Sequence, residues 1–255
     1  MTLPWPISFS VAIRSLTVAA RTATALLLLL SVSLVRAGSI TGEVELTNSK
    51  DIAVRKHKDY SGVVLWLEPV DRAAPAGPTK HFEMLQKDKT FQPHVLALAV
   101  GGSVDFPNLD LIFHNAFSNF SGQPFDVGLY PPHTSKSVTF KHPGIVRVFC
   151  NIHSTMSAII AVLNTPWFAV SAANGKYAIA NVPAGDYQLH LFHERAQPEN
   201  LHFLEHRITV PEAGLNLPLV SITETGYNPV PHLNKYGKNY PPVANDGTYP
   251  GAPKQ

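Results

Sequence analysis

Residues 144–156 read Gly144-Ile145-Val146-Arg147-Val148-Phe149-Cys150-Asn151-Ile152-His153-Ser154-Thr155-Met156. In an extended chain successive side chains point to opposite faces, so Val146, Val148 and Cys150 share one face while Arg147 and Phe149 take the other. Pro143-Gly144, just before this run, is a turn signal. The segment is therefore a strand that ends with Cys150 pointing inward. A loop bearing an imidazole and a thioether follows at once. The chain has a single cysteine. A lone thiol makes no internal disulfide and is open to oxidation outside the cytosol, so it needs either a use or deep burial.

A fourth donor lies upstream. His114, in Asp110-Leu111-Ile112-Phe113-His114-Asn115, follows a strand ending near Phe106 and could meet the Cys150 loop across one end of a β-sandwich. Two imidazoles and a thiolate in a plane, with a weaker thioether above it, form a donor set in which copper exchanges between Cu(I) and Cu(II) with little ligand movement. The candidate metal ligands are thus His114, Cys150, His153 and Met156. A short loop anchored by strands at both ends largely presets their geometry. Asn115, next to His114, is placed for its backbone N–H or its side chain to brace the loop or donate to the Cys150 sulfur.

Outward from this loop, the pattern is all-β. Ile40, Val44 and Leu46 alternate with polar residues, and Val63, Leu65 and Leu67 alternate with Val64, Trp66 and Glu68, as in two strands with one buried face each. Residues 71–78 (DRAAPAGP) are a linker by composition. A strand is expected over residues 91–100, with a turn at Gly101-Gly102. After Thr165-Pro166, Asn174-Gly175 suits a two-residue hairpin turn, and Tyr187, Leu189 and Leu191 alternate in a compact meander. No long helix is evident. Residues 226–255 contain six prolines, four glycines and four tyrosines but few aliphatics. Such a tail cannot build its own core and is either loose or draped over the sandwich.

The run Phe91-Gln92-Pro93, Gly101-Gly102-Ser103-Val104-Asp105-Phe106-Pro107-Asn108, His114-Asn115, Phe140, Pro143-Gly144 and Phe149 to Met156 resembles the cupredoxin family of plastocyanin, azurin and especially amicyanin. Bacterial methylamine-utilisation-type proteins carry similar wording. The close Cys-x-x-His-x-x-Met spacing is similar to the amicyanin form. The resemblance spans residues 80–164, about a third of the chain, and implies a Greek-key β-sandwich with all four ligands at the matching positions. Ile40-Thr41-Gly42-Glu43-Val44 and residues 174–187 resemble the opening and the middle of a carboxypeptidase-regulatory, transthyretin-like sandwich. The expected organisation is an export signal at 1–37, the first part of the transthyretin-like sandwich at 38–70, the cupredoxin domain at 79–164, the second transthyretin-like part at 165–225 and the tail at 226–255. Neither flank has enough strands to close a core alone, so the two should form one discontinuous sandwich.

Each candidate also has a plainer reading. Cys150 taken alone is a buried structural thiol, and Met156 alone is core filling. Only the pattern of four favours metal. His94, on the strand before the glycine turn, could approach the metal end, bond to a loop or face solvent. His202 and His206 have the i, i+4 spacing of a helical zinc clamp, but Pro198 and the short segment argue against a stable helix, and no third ligand is at hand. Those two, with His190 and His193, read as surface histidines. Asn119-Phe120-Ser121 matches a glycosylation sequon that nothing else supports. Phe149 is either ordinary sheet packing or the lining of an electron path.

Residues 1–37 carry Arg14 and Arg21 ahead of an apolar run, then Val35-Arg36-Ala37 with small residues at −3 and −1, as in a secretory signal; an uncleaved anchor is the alternative. The apolar core is shorter than the roughly 20 residues of a comfortable bilayer span. Removing Arg14, Arg21 and Arg36 from the 20 basic residues leaves 17 against 18 acidic. A near-neutral mature chain without a basic stripe argues against nucleic acid as a partner. The expected function is that of a periplasmic or otherwise exported bacterial copper protein. It would carry single electrons between redox partners and catalyse no substrate chemistry, with no membrane span left after signal cleavage. An envelope binding module with accessory copper and a Cu(I) trafficking protein are the rivals.

Overall fold

The structure is a computed structural model that describes residues 1, 37–119, 122–228 and 231–241. The export signal read over residues 1–37 falls outside them apart from its two end residues, as does most of the Asn119 sequon. Among the described residues, no helix is long and apolar enough to cross a membrane. The first block holds β1 (Ala37–Thr47), α1 (Ile52–His57) and β2 (Val64–Pro69). The middle block runs through β3 (His81–Glu83), β4 (Leu85–Lys87), β5 (Thr90–Gln92), β6 (Val95–Ala99), β7 (Ser103–Pro107), β8 (Phe117–Ser118), β9 (Phe125–Asp126), β10 (Ser135–Thr139), β11 (Gly144–Phe149) and β12 (Ser157–Leu163). The last block holds β13 (Phe168–Val170), β14 (Lys176–Pro183), β15 (Gly185–Phe192), α2 (Pro198–His202), β16 (His206–Val210), β17 (Leu215–Asn216) and β18 (Val220–Thr223). The fold is all-β, and the described residues include two helices of about a turn each.

Strands from the first and last blocks share sheets. β1 pairs with β14, β17 and β18, and β2 lies between β13 and β15, with β16 on the far side of β15. The middle block supplies the sheet β6-β12-β11-β8-β9, the sheet β10-β7-β3 and the ribbon β4-β5. Period-two alternation then dictates the layering. Ile40 and Val44 of β1, Leu65 and Leu67 of β2 and Leu189 and Leu191 of β15 enclose one core. Val104, Phe106, Val146, Val148, Ile160 and Val162 enclose a second. Between them, Val64, Trp66, Phe168 and Phe192 on the outer face of the β2 sheet meet Ala97, Ala161, Leu163 and Ile145 on the outer face of the β12 sheet. Among the described residues, four of the five sheets stack with three apolar interlayers, and the ribbon β4-β5 lies outside the stack.

This layering corrects the sequence expectation for β2. One buried face is anticipated there, yet Val64 is as buried as Leu65 and Leu67, because a second sandwich covers the other side. β12 reads Ser-Ala-Ile-Ile-Ala-Val-Leu, almost unbroken apolar, for the same reason: both its faces are covered. The expected strand over residues 91–100 is broken in two at Pro93 and His94, which lie between β5 and β6. The anticipated hairpin at Asn174-Gly175 is only a turn: the Gly175 N–H donates to the Ala172 carbonyl at 2.8 Å, but β13 and β14 on either side belong to different sheets; Gly175 sits at φ +79° against the backbone of Val44, where a side chain has no room.

Two histidine readings change. Pro198 does not prevent a helix but starts α2 at its first turn, where its missing N–H costs nothing. The helix ends at His202, while His206 opens β16 and bonds to the Leu204 carbonyl at 2.8 Å, so the two do not form a clamp. His193 is not a surface residue but is buried. Its Nε2 lies 2.9 Å from Glu224, whose carboxylate also takes bonds from Ser49 at 2.6 Å and Arg195 at 3.0 Å. Burial raises the Glu224 pKa, but those bonds and the Arg195 charge outweigh it and hold the group at about 2.

His94 ties the two sandwiches together. Its Nδ1–H donates to the Ser157 carbonyl at 3.0 Å and its Nε2–H to Glu194 at 2.7 Å. Both partners are acceptors, so the pair of bonds requires the imidazolium. The hydrogen bond to Glu194 accordingly raises the His94 pKa against the opposing effect of burial. For Glu194, burial pushes the carboxyl up, but the His94 bond together with the charges of His94, Arg195 and His193 outweighs it. A raised histidine pKa stabilises the fold fully below the unfolded value near 6.5 and is lost as pH rises through the folded value. Glu194→Gln should therefore lower stability by about 1 kcal/mol at pH 6, given the partial exposure of the pair, and by little at pH 9. Urea unfolding at the two pH values checks this.

Candidate metal centre

The inward face of β11 delivers Cys150 to the end of the second core, where the thiol is fully buried. The loop that follows is closed by its own backbone: Met156 N–H donates to the His153 carbonyl at 3.1 Å and Cys150 N–H to the Met156 carbonyl at 3.2 Å. This turns His153 back over Cys150, leaving its Nδ1 3.6 Å from the Cys150 sulfur. His114 arrives from the opposite side. Its backbone exchanges two hydrogen bonds with Tyr130, at 3.2 and 3.0 Å, and its buried ring places Nδ1 3.9 Å from the same sulfur. The two imidazoles stand 4.9 Å apart at 60°. Among the described residues, His114, Cys150 and His153 form one potential metal-binding cluster, with all three donor atoms within 4.8 Å of one another.

The fit to an ion can be tested on these edges. A first-row ion held at about 2.0–2.1 Å by nitrogen and 2.3 Å by sulfur in a trigonal array spans S···N edges of ~3.8 Å. The observed edges of 3.6 and 3.9 Å bracket that value. The protonation states also fit. Burial lowers the His114 pKa in spite of Asp110, and burial followed by the charge of His114 lowers that of His153 to about 4. Both rings are thus neutral at pH 7, with lone pairs available. Burial pushes the Cys150 thiol up, although the backbone N–H groups of Ile152, His153 and Asn115 point at the sulfur and favour the thiolate. A cation in the triangle would tip that balance and release the proton. Met156 is fully buried in the same apolar cluster as Cys150, next to the trio through its backbone bond.

Both roles weighed for Asn115 occur together. Its backbone N–H approaches the sulfur, while its side-chain oxygen accepts the Asn151 N–H at 3.2 Å and its amide donates to Asp126 at 2.7 Å and to the Gly128 carbonyl at 3.0 Å. The residue that sequence reasoning passed over is Asp110. Its Oδ2 accepts the His114 Nε2–H at 2.8 Å. It is fixed in turn by the backbone N–H groups of Asp88 and Lys89, at 2.7 and 2.9 Å. This bond sets the tautomer that leaves Nδ1 bare toward Cys150, and a carboxylate behind a ligating imidazole raises its basicity. The only sequence signal was four-residue spacing within a loop, which carries little weight outside a helix. His94, bonded to Ser157 and Glu194, is not part of the cluster.

Part of the chain is similar to solved structures. The similar chains are cupredoxins. A copper-containing nitrite reductase from Thermus scotoductus SA-01 is 28% identical over 38% of this chain and 25% of its own, with a TM-score of 0.32. A purple cupredoxin from Nitrosopumilus maritimus is 19% identical over 32% of this chain and 98% of its own, with a TM-score of 0.29. A Cu(I) structure of an amicyanin mutant is 15% identical over 36% of this chain and 97% of its own, with a TM-score of 0.31. The chain spans only a quarter of the nitrite reductase it matches. No family model and no curated protein matches the chain.

Loss of the carboxylate should loosen metal binding without touching a ligand. Asp110→Ala is expected to weaken affinity for Co(II) or Cu(II) by about 10–100-fold, whereas Asp71→Ala, in the linker, should leave it unchanged. Competition titration with a chromophoric chelator measures both.

Proposed function

We propose that the chain is an exported type-1 copper protein that carries single electrons between redox partners. The observation supporting this most directly is the triangle of the buried Cys150 Sγ and His114 Nδ1 with the half-buried His153 Nδ1, within 4.8 Å and with both imidazoles neutral. When bound there, copper would supply one-electron exchange between Cu(I) and Cu(II). The residues do the remainder. Cys150 supplies a thiolate that suits the reduced ion, and His114 and His153 supply nitrogen that suits the oxidised one. Met156 would supply a thioether to the ion. Backbone bonds across residues 150–156 and the Asp110 carboxylate hold these groups still, so that little rearranges when the charge changes. On this reading the three ligands and the Met156 thioether would leave no position for a substrate, and the protein would be a carrier and not an enzyme.

The loop that carries His114 also presents Leu109, Leu111 and Phe113 to solvent, with Leu129 exposed beside Tyr130. An apolar collar of this kind next to the metal-bearing end suits a transient redox partner. The sandwich built from the first and last blocks is read as a transthyretin-like module on which the copper module is mounted. Periplasmic location rests on the export signal read from residues 1–37.

Protein loaded with Cu(II) should be intensely blue through thiolate-to-copper charge transfer, bleach reversibly with ascorbate and lose the colour in Cys150→Ser but not in His94→Ala. A protein that holds only colourless Cu(I) would contradict the carrier reading and favour trafficking. Visible and electron paramagnetic resonance spectra distinguish the two.

A further inference from the structure

The tail segment of residues 231–241 lies against the outward side of the Cys150 loop and touches Phe149 at the end of β11 and Cys150 and Asn151 after it. The His232 ring stacks on Phe149, 4.1 Å between centroids and 25° from parallel. Tyr240 donates its hydroxyl hydrogen to the Cys150 carbonyl at 2.7 Å, with His232 Nδ1 3.2 Å from the same hydroxyl oxygen. The backbone N–H of Lys235 donates to the Asn151 side-chain oxygen at 2.9 Å. Lys235 then reaches further, its Nζ 2.7 Å from Asp126 Oδ2.

These bonds close a ring. Lys235 holds Asn151, Asn151 N–H bonds to Asn115, Asn115 bonds to Asp126, and Asp126 returns to Lys235. Asn115 follows His114 and Asn151 follows Cys150, so the ring joins the two segments that bring the donors from opposite sides. The tail's own turn is set by Asn234, whose side-chain oxygen accepts the N–H groups of Tyr236 and Lys238 at 3.0 and 3.1 Å. Without the tail, the Cys150 carbonyl loses its Tyr240 donor, the Phe149 ring is uncovered and the link between the two loops has one member fewer.

We infer that Tyr240, His232 and Lys235 are positioning residues of the metal centre: the tail is a strap that locks the Cys150 loop against the His114 loop from behind. The copper assignment underlies the metal arm of this inference, but the rigidity of the loop does not depend on it. Cooperative networks of this kind are stronger as a set than bond by bond, so the strap should act as a unit.

Two measurements on the full chain and on the variants Tyr240→Phe and Lys235→Met test it. In metal-free protein, hydrogen exchange at the Cys150, Asn151 and Met156 amides should speed up by about fivefold in each variant, as for the loss of one hydrogen bond, while exchange in β1 and β15 stays the same. In copper-loaded protein, the variants should stay coloured, but release copper to a chelator faster by a similar factor and show altered copper hyperfine splitting. Unchanged exchange at those three amides, with unchanged copper release and spectrum, would overturn the strap. If the parent chain takes up no copper while the three amides still respond, the copper reading fails and the strap stands.

Discussion

A thiol buried among apolar side chains with two uncharged imidazoles beside it has no favourable way to ionise unless a cation arrives. That constraint organises the rest of the structure. Cys150 gains three backbone N–H groups directed at its sulfur, yet burial still holds its proton on. His114 and His153 are kept neutral by the same burial. The two imidazoles are therefore poised in the state that a soft divalent or monovalent ion needs, the thiol gives up its proton only as the ion arrives, and the energy lost in desolvating the three groups is recovered only when the ion binds. A structural cysteine would need neither the two imidazoles nor the carboxylate behind one of them.

Such a site demands rigid surroundings, and the layered architecture supplies them. β11 and β12, which flank the ligand loop, sit in the sheet whose one face packs on the β10-β7-β3 sheet and whose other face packs on the β2 sheet. Both faces of β12 are dry, so the strand cannot tilt without opening an apolar interlayer. His94 adds a polar tie between the sandwiches at Ser157, the first residue after Met156. The flanking sandwich is thus mechanically continuous with the strand that ends the ligand loop, which is one physical reason to mount a small metal module on a larger one.

Much of this was legible in the sequence because it rests on short-range rules. Period two placed Val146, Val148 and Cys150 on one face, and Pro143-Gly144 and Asn174-Gly175 marked the turns. The all-β class followed from the same alternation, and the spacing of residues 150–156 brought two of the donors together. What escaped depends on contacts distant in sequence. Val64 and Trp66 looked like the outer face of an exposed sheet because nothing local shows that a second sandwich covers them. His193 looked like a surface residue because its partner Glu224, which Arg195 also engages, meets it only through the fold. Asp110 is four residues from His114, but its role depends on the loop returning it to Nε2 and on N–H donors from residues 88 and 89. For the tail, composition left loose and draped open; stacking of His232 on Phe149 decides for draped over the described residues.

The central claim is that one copper ion is held by Cys150, His114 and His153. X-ray absorption at the copper edge of the loaded full chain tests it most directly. The account predicts one sulfur at about 2.3 Å and two imidazole nitrogens at about 2.0 Å, with the sulfur shell lost in Cys150→Ser. Copper surrounded only by nitrogen and oxygen, or a shell unaffected by that substitution, would contradict it.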